Sequence, residues 1–462
     1  MKSGDLLAIF PMILPAAVAM VMLIAAVFGG RRLAPWAALA AVVGSAVAAA
    51  FVWRTYQHPF GALLWTGRLT MQAGFAVMAA AAVAILISVD YVRREKLPEA
   101  EYYALLLLSM VGMLLLIAAM PNLLMLFLSV EMASIPLYVM AGMARRRTKS
   151  LEAAMKFFLL GSFASAIMLY GIALVYGEFR TLAYTGNLVQ TETMPSLVTV
   201  VGVGLITVGL LFKVSLVPFQ MWTPDVYEGA PSPVSAFMSV GTKTAAFFAL
   251  VWLLADWFWV PVVWSLSALT MVVGNIAAIV QNNIKRMLAY SSIAHAGYIA
   301  VTIACFRSEI SIRAMLFYFI AYAFSNLGAW SVVTAVAKEG ERGTEIGDYA
   351  GLFKSNPFLA AAMALFMFSL AGIPPTAGFT AKLLVFLAAL DARMISLAVI
   401  VVVTTVISAY YYLRVTVAMF MVRTDEPAAV KLTVPTAAAI MLCAAAVLVL
   451  FLIPGWAIIG TR

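Results

Sequence analysis

The stretch Leu211-Phe212-Lys213-Val214-Ser215-Leu216-Val217-Pro218-Phe219 sets a lysine inside an apolar run that also carries a helix breaker. A charged side chain at bilayer depth is costly, so it faces a partner or a water-filled cavity and marks an ion or proton path. Glu131, Lys243 and Lys382 also lie in long apolar segments, and the runs around Lys213 and Lys382 both carry prolines. Buried charge beside interrupted helices points to proton movement through a membrane.

Composition leads to the same class. Of 462 residues, 65% are hydrophobic and 11% charged, whereas a soluble globular chain has about 25% charged residues. At about 20 residues per span, the chain reads as an all-α polytopic membrane protein with about fourteen transmembrane helices. Their approximate limits are 6–28, 33–53, 71–91, 102–120, 122–142, 154–176, 197–218, 232–254, 259–281, 287–305, 313–336, 357–388, 394–421 and 434–459. The first span is read as a retained helix, because Asp5 accompanies Lys2 and the apolar run outlasts a signal-peptide core.

The seventh span is interrupted at Pro218 and runs into Trp222-Thr223-Pro224-Asp225; the twelfth is interrupted at Ala371-Gly372-Ile373-Pro374-Pro375. The two breaks lie an odd number of spans apart, so the units that carry them would have opposite orientations. Inverted repeats with discontinuous helices at matching positions are a transporter signature. The chain therefore divides into a three-helix segment (1–101), two inverted five-helix repeats (102–256 and 257–421) and a last helix (422–462).

The net charge of +9 encodes topology and not nucleic-acid binding. With alternating spans, one set of loops holds sixteen Lys and Arg, among them Arg31, Arg32, Arg93, Arg94, Arg145, Arg146, Arg147, Arg423 and Lys431; the other holds eight, among them Lys2, Arg180 and Arg462. The richer set should be cytoplasmic, leaving both termini on the far side. Cys305 and Cys443 lie in predicted spans and imply no disulfide framework. There is no G-x-x-x-x-G-K-[ST], dinucleotide fingerprint or Cys/His ligand cluster. The chain is thus expected to hold no cofactor of its own and to draw energy from partners or an ion gradient.

Glu131 and Lys213 each precede a proline by five residues, Pro136 and Pro218. A proline leaves the carbonyl four residues earlier unbonded; here those carbonyls belong to Met132 and Val214, and each would hold water beside a titratable group. Glu131 is the natural partner for Lys213. At ~5 Å and an effective dielectric near 20, the pair would attract by roughly 3 kcal/mol, enough for a small movement to switch proton retention and release. Lys243 stands near mid-membrane as a central relay. Lys382, two turns beyond the second break, reads as an exit-side relay or a snorkelling side chain. His295 would bridge water chains or bond neighbouring helices, and Asp225 would shape the turn or serve proton uptake.

The segment Phe212-Lys213 through Pro218-Phe219-Gln220-Met221-Trp222-Thr223-Pro224-Asp225-Val226-Tyr227-Glu228-Gly229-Ala230-Pro231-Ser232-Pro233 to Met238 resembles subunit N of the proton-pumping NADH:quinone oxidoreductase, respiratory complex I. Asn283-Ile284-Lys285-Arg286-Met287-Leu288-Ala289-Tyr290-Ser291-Ser292 and Gly372-Ile373-Pro374-Pro375-Thr376-Ala377-Gly378-Phe379-Thr380-Ala381-Lys382 carry the same resemblance, which covers essentially the whole chain. It implies an antiporter-like subunit of a bacterial-type inner membrane, with Glu131 and Lys213 as a paired switch, Lys243 central and Lys382 terminal. It also implies NADH, FMN, iron–sulfur clusters and quinone elsewhere in the complex, and partners that are a neighbouring antiporter-like subunit, small membrane subunits and lipid. Gln220 stands where the family motif would have histidine. Lys382 argues against subunit M, where glutamate is expected, and the chain's end soon after the last span argues against subunit L. The alternatives are a cation/proton antiporter, a membrane-bound hydrogenase or ferredoxin-linked complex, and a purely structural scaffold.

Overall fold

A computed structural model describes residues 3–27, 33–54, 57–183, 195–255, 257–422, 424, 430 and 432–454. In lipid every backbone N–H and C=O must be satisfied within its own segment, so apolar runs of this length become helices. They are α1 (Phe10–Val27), α2 (Ala34–Val52), α3 (Arg68–Arg94), α4 (Glu99–Ala118), α5 (Leu123–Ala141), α6 (Thr148–Phe179), α7 (Leu197–Val214), short α8 (Trp222–Gly229), α9 (Ser232–Leu254), α10 (Val260–Ile279), α11 (Ile284–Ala304), α12 (Ser311–Val336), α13 (Pro357–Ala371), α14 (Ala377–Asp391), α15 (Ile395–Met421) and α16 (Val434–Leu452). Among the described residues, 13 helices are long and apolar enough to cross a membrane. The broken pair α13/α14 supplies the remaining expected span.

The bundle has an inside. In α11 and α12, 94% of the apolar window is buried, and in α9 89%, against 33% for α1, α2 and α16. Polar side chains on α9, α11 and α12 are therefore shielded from lipid by their neighbours. Gly112 brings α4 against α5 so closely that a Cβ there would lie 2.2 Å from the Ala133 nitrogen, the small-residue packing expected between membrane helices. Gly112→Ala should force the two helices apart and destabilise the subunit by about 1–3 kcal/mol. Gly177→Ala, with open space around its Cβ, is the control. Thermal melts of the detergent-solubilised complex should fall for the first substitution only.

Both interruptions end in the same backbone motif. Ser215 (φ 63°) and Gly372 (φ 86°) adopt the left-handed conformation just past α7 and α13. Leu216 N–H bonds Leu211 O at 3.2 Å and Ser215 N–H bonds Phe212 O at 3.2 Å; Ile373 N–H bonds Phe368 O at 2.9 Å and Gly372 N–H bonds Ser369 O at 3.0 Å. Each set is a Schellman ending, and each is followed three residues later by a proline, Pro218 or Pro375. The first break therefore begins at Ser215, ahead of the expected Pro218. Pro136, for its part, lies inside a continuous α5. Its missing N–H leaves the Met132 carbonyl without a helical donor although the helix runs on.

The loops rich in Lys and Arg gather on one face. Arg94, Lys96, Arg145, Arg146 and Arg147 line a single cleft, and Lys149, Glu228 and Arg286 meet nearby. Arg31, Arg32, Arg423, Lys431, Lys2 and Arg462 lie outside the described residues. On the opposite face Asn122 bridges to Ala183.

Candidate functional site: a row of buried charges and hydroxyls

α5, α6 and α7 hold the first part of the site. Lys213, one residue before the end of α7, is 6% exposed, and its Nζ donates to the Tyr138 hydroxyl at 3.0 Å. Glu131, seven residues before Tyr138 and on the same face of α5, accepts a short hydrogen bond from Ser165 Oγ of α6. No ion pair joins Glu131 to Lys213, which corrects the expected direct pairing. The lysine is occupied by a phenol and the carboxylate by a serine, so two neutral hydroxyls stand where a salt bridge was expected. The first break is packed by Trp222, which stacks on Phe157 at 4.6 Å and donates Nε1–H to Phe212 O at 2.9 Å.

Lys243 is the twelfth of 23 residues in α9 and is 2% exposed. Its Nζ donates to both the backbone oxygen and Oγ of Ser292 on α11, each at 2.6 Å. Tyr322 of α12 donates to the same Ser292 Oγ at 2.8 Å, and its ring lies 4.9 Å from that of His295. His295 sits one turn along α11, with Nδ1 2.7 Å from Tyr318 Oη and Nε2 3.1 Å from Tyr412 Oη. Tyr412 also pairs closely with Ser291. One turn before Tyr412 on α15, Ser408 accepts a hydrogen bond of 3.4 Å from Lys382 Nζ.

Lys382 is 6% exposed and also donates to the Ala371 carbonyl at 2.9 Å. That carbonyl is the last of α13, freed because the helix stops. The principle that a broken helix offers its carbonyl to a titratable group thus holds at the second break, through the lysine itself. Gly372 is required twice here: for its left-handed backbone and because a Cβ would lie 2.8 Å from Lys382 Cδ.

Asp225 stands apart from this row. It sits on α8, paired with Lys156 at 2.7 Å and Arg286 at 2.7 Å, while Glu228 binds Lys149 at 2.8 Å and Arg286 at 3.1 Å. Burial opposes ionisation of Asp225, but hydrogen bonds from Lys156 and Arg286 outweigh it and hold the carboxyl below its usual range. Such a group stays ionised and fastens α8 to α6 and α11, as a residue that shapes the turn would. Lys156 is also engaged by Glu152 at 2.7 Å.

Sequence reasoning found the four charged residues and His295. It missed the hydroxyls that connect them: Tyr138, Ser165, Ser292, Tyr322, Tyr412 and Ser408. The available signal was the grouping of polar residues at helical spacing, as in Ser291-Ser292 with His295 and Ser408 with Tyr412.

The family described as NADH:quinone oxidoreductase/Mrp antiporter, TM, matches residues 119–408 of this chain. NADH-quinone oxidoreductase subunit N of Trichlorobacter lovleyi is 42% identical over 459 residues, covering 96% of this chain and 94% of that protein. A chain of respiratory complex I from Thermus thermophilus, solved with bound aureothin, superposes with a TM-score of 0.83 at 33% identity, covering 96% of this chain and 97% of that one. A chain of the Mrp complex from Dietzia sp. DQ12-45-1b shares the fold, with a TM-score of 0.87 at 21% identity over 100% of this chain and 96% of that one.

Proposed function

The chain belongs to the NADH:quinone oxidoreductase/Mrp antiporter family, among the NADH-quinone oxidoreductase subunit N proteins, and on that premise we propose that Glu131, Lys213, Lys243 and Lys382 form its proton relay. It is an antiporter-like, multi-pass membrane subunit of NADH:quinone oxidoreductase, a multi-subunit translocase. Its part in that enzyme is proton translocation coupled to quinone reduction in other subunits. NADH, FMN, the iron–sulfur clusters and quinone are assigned to those subunits, because this sequence has neither a nucleotide-binding loop nor a cysteine ligand set.

One observation carries the residue assignment: three hydrogen-bonded groups lie at neighbouring turns of α11 and α15, Lys243 with Ser292 and Tyr322, His295 with Tyr318 and Tyr412, and Lys382 with Ser408. A row of groups that both donate and accept lets a proton move by small local shifts. Glu131 and Lys213 form the first station, Lys243 the second and Lys382 the last, with His295 between the final two. The repeats 102–256 and 257–421 each contribute one broken helix, and the paired Schellman endings at Ser215 and Gly372 support reading them as inverted copies. The gathering of Arg94 and Arg145–Arg147 on one face supports a cytoplasmic side there and both termini on the other.

The test is Lys213→Arg in the assembled complex. Arginine keeps the charge but is effectively always protonated, so it cannot take up and release a proton. Proton pumping and coupled quinone reduction should fall roughly 100-fold, the low end of what a lost acid–base group costs. Near-normal proton yield in proteoliposomes would overturn the assignment of Lys213.

A further inference from the structure

A cleft of about 1060 Å³ opens on the face that carries the Arg- and Lys-rich loops, with Lys96, Glu101, Arg145, Arg147 and Glu339 on its walls. Its lining also includes Tyr138, a residue only 6% exposed. This is the same tyrosine whose hydroxyl receives the Lys213 hydrogen bond at 3.0 Å. Tyr138 therefore borders the cleft as a residue and, through its hydroxyl, meets the buried amine. No other side chain of the row has both contacts.

The local build keeps the hydroxyl in that position. Gly161 of α6 faces it, and a Cβ there would lie 2.2 Å from Tyr138 Oη. Phe157 and Phe158 pack edge-on against the ring at 4.7 and 5.8 Å, which limits its swing. The space a side chain would fill at position 161 is filled by the phenolic oxygen.

We propose that the Tyr138 hydroxyl is the gate through which protons pass between this cleft and Lys213. The proposal rests on the reading of Lys213 as a relay station. In the loading step, Tyr138 gives its hydroxyl proton to the neutral Lys213 amine and accepts another from a protonated water in the cleft. The O–H bond broken is replaced by the one formed, Tyr138 is neutral before and after, and Lys213 becomes an ammonium. A phenol suits this task because one oxygen serves as donor and acceptor at once. The loops around the cleft contribute charge and a wet vestibule, and no covalent chemistry.

The experiment uses the intact complex in liposomes, with proton pumping and quinone reduction measured on the same vesicles. Tyr138→Phe keeps the ring and its packing but removes the oxygen, and pumping should fall about 100-fold, the low end for loss of a proton-transfer group. Tyr138→Ala should be equally impaired but restored by added imidazole, a proton carrier small enough to enter the enlarged cleft. Gly161→Ala keeps the hydroxyl but displaces it, and should reproduce the defect should Tyr138→Phe fail to assemble. Normal pumping by Tyr138→Phe, or an assembled Tyr138→Ala that imidazole does not restore, would overturn the gate. Lys213→Ala is run in parallel. Normal pumping there would remove the relay reading itself, whereas a dead Lys213→Ala beside a normal Tyr138→Phe would remove the gate alone.

Discussion

Lys243→Ala in the assembled complex should lower proton pumping and the coupled quinone reduction by about 100-fold, at the low end of what a lost acid–base group costs. The reason is its place. Lys243 lies at mid-helix in a span buried on all sides and bonds Ser292 through both backbone and hydroxyl. Alanine leaves the Ser292 hydroxyl with Tyr322 and nothing titratable on α9 to receive the proton. Gln220→Ala is the matched comparison. Gln220 lies in the first break, is only partly buried and cannot change its charge, so its removal should change pumping by less than about twofold, as surface-like changes do. Dye-quench measurements of proton uptake in proteoliposomes distinguish the two. Equal effects, or the reverse order, would mean that the proton route runs through the break and not through α9.

Glu341→Ala should cost about 3–5 kcal/mol of stability, the scale for removing one partner from a buried ionic cluster. The Glu341 side chain is 2% exposed. It takes a short bond from Lys285, a contact at 3.4 Å from Arg147, and hydrogen bonds from Tyr91 Oη at 2.5 Å and from the Ser232 amide at 2.7 Å. One carboxylate thus fastens the 338–349 loop to α3, the start of α6, the start of α9 and α11. Burial alone would raise its pKa, but Lys285 and Arg147 outweigh burial and hold it below the ordinary carboxylate range. A depressed carboxyl pKa contributes stability that is complete above the unfolded value, about 4.3 for glutamate, and is lost as pH falls through the lower folded value. The wild-type clamp should therefore hold throughout neutral pH and weaken only in acid. Glu341→Ala should show a lowered melting temperature and less assembled subunit at pH 7. An unchanged melt would show that the cluster contributes no net stability.

The helices were legible because lipid leaves the backbone few choices, and the limits read from hydropathy match most observed ends within a few residues. α6 began earlier than expected because its first turns are polar: Lys149, Glu152 and Lys156 are held by Glu228 and Asp225 and by each other. The lysines were legible because a charge in an apolar run is conspicuous. Hydroxyls are not conspicuous, since serine and tyrosine cost little in a membrane helix, and the connections of Tyr138, Ser292 and Tyr412 depend on which helices are neighbours. Glu341 was missed for the opposite reason. It lies in a loop that reads as solvated, and its burial arises only when four distant segments converge. Glu131 and Lys213 are each engaged by a hydroxyl, Ser165 of α6 and Tyr138 of α5, and not by a direct ion pair, a matter of neighbouring helices that spacing along the chain does not encode.

The depth of the relay has an electrical consequence. Lys243 is the twelfth of 23 residues in its helix, His295 the twelfth of 21 and Ser408 the fourteenth of 27, and Lys382 follows a break in the middle of its span. All four sit near the middle of their spans, so on the proposed relay a proton passing from Lys243 to Lys382 would travel sideways. The field across a membrane does work only on displacement along the bilayer normal, about 2.3 kcal/mol per unit charge per 100 mV for a full crossing. Transfer along the row is therefore nearly isopotential. On the proposed route the opposing voltage of an energised membrane would be met at the vertical legs, on the cleft side of Tyr138 and beyond Lys382.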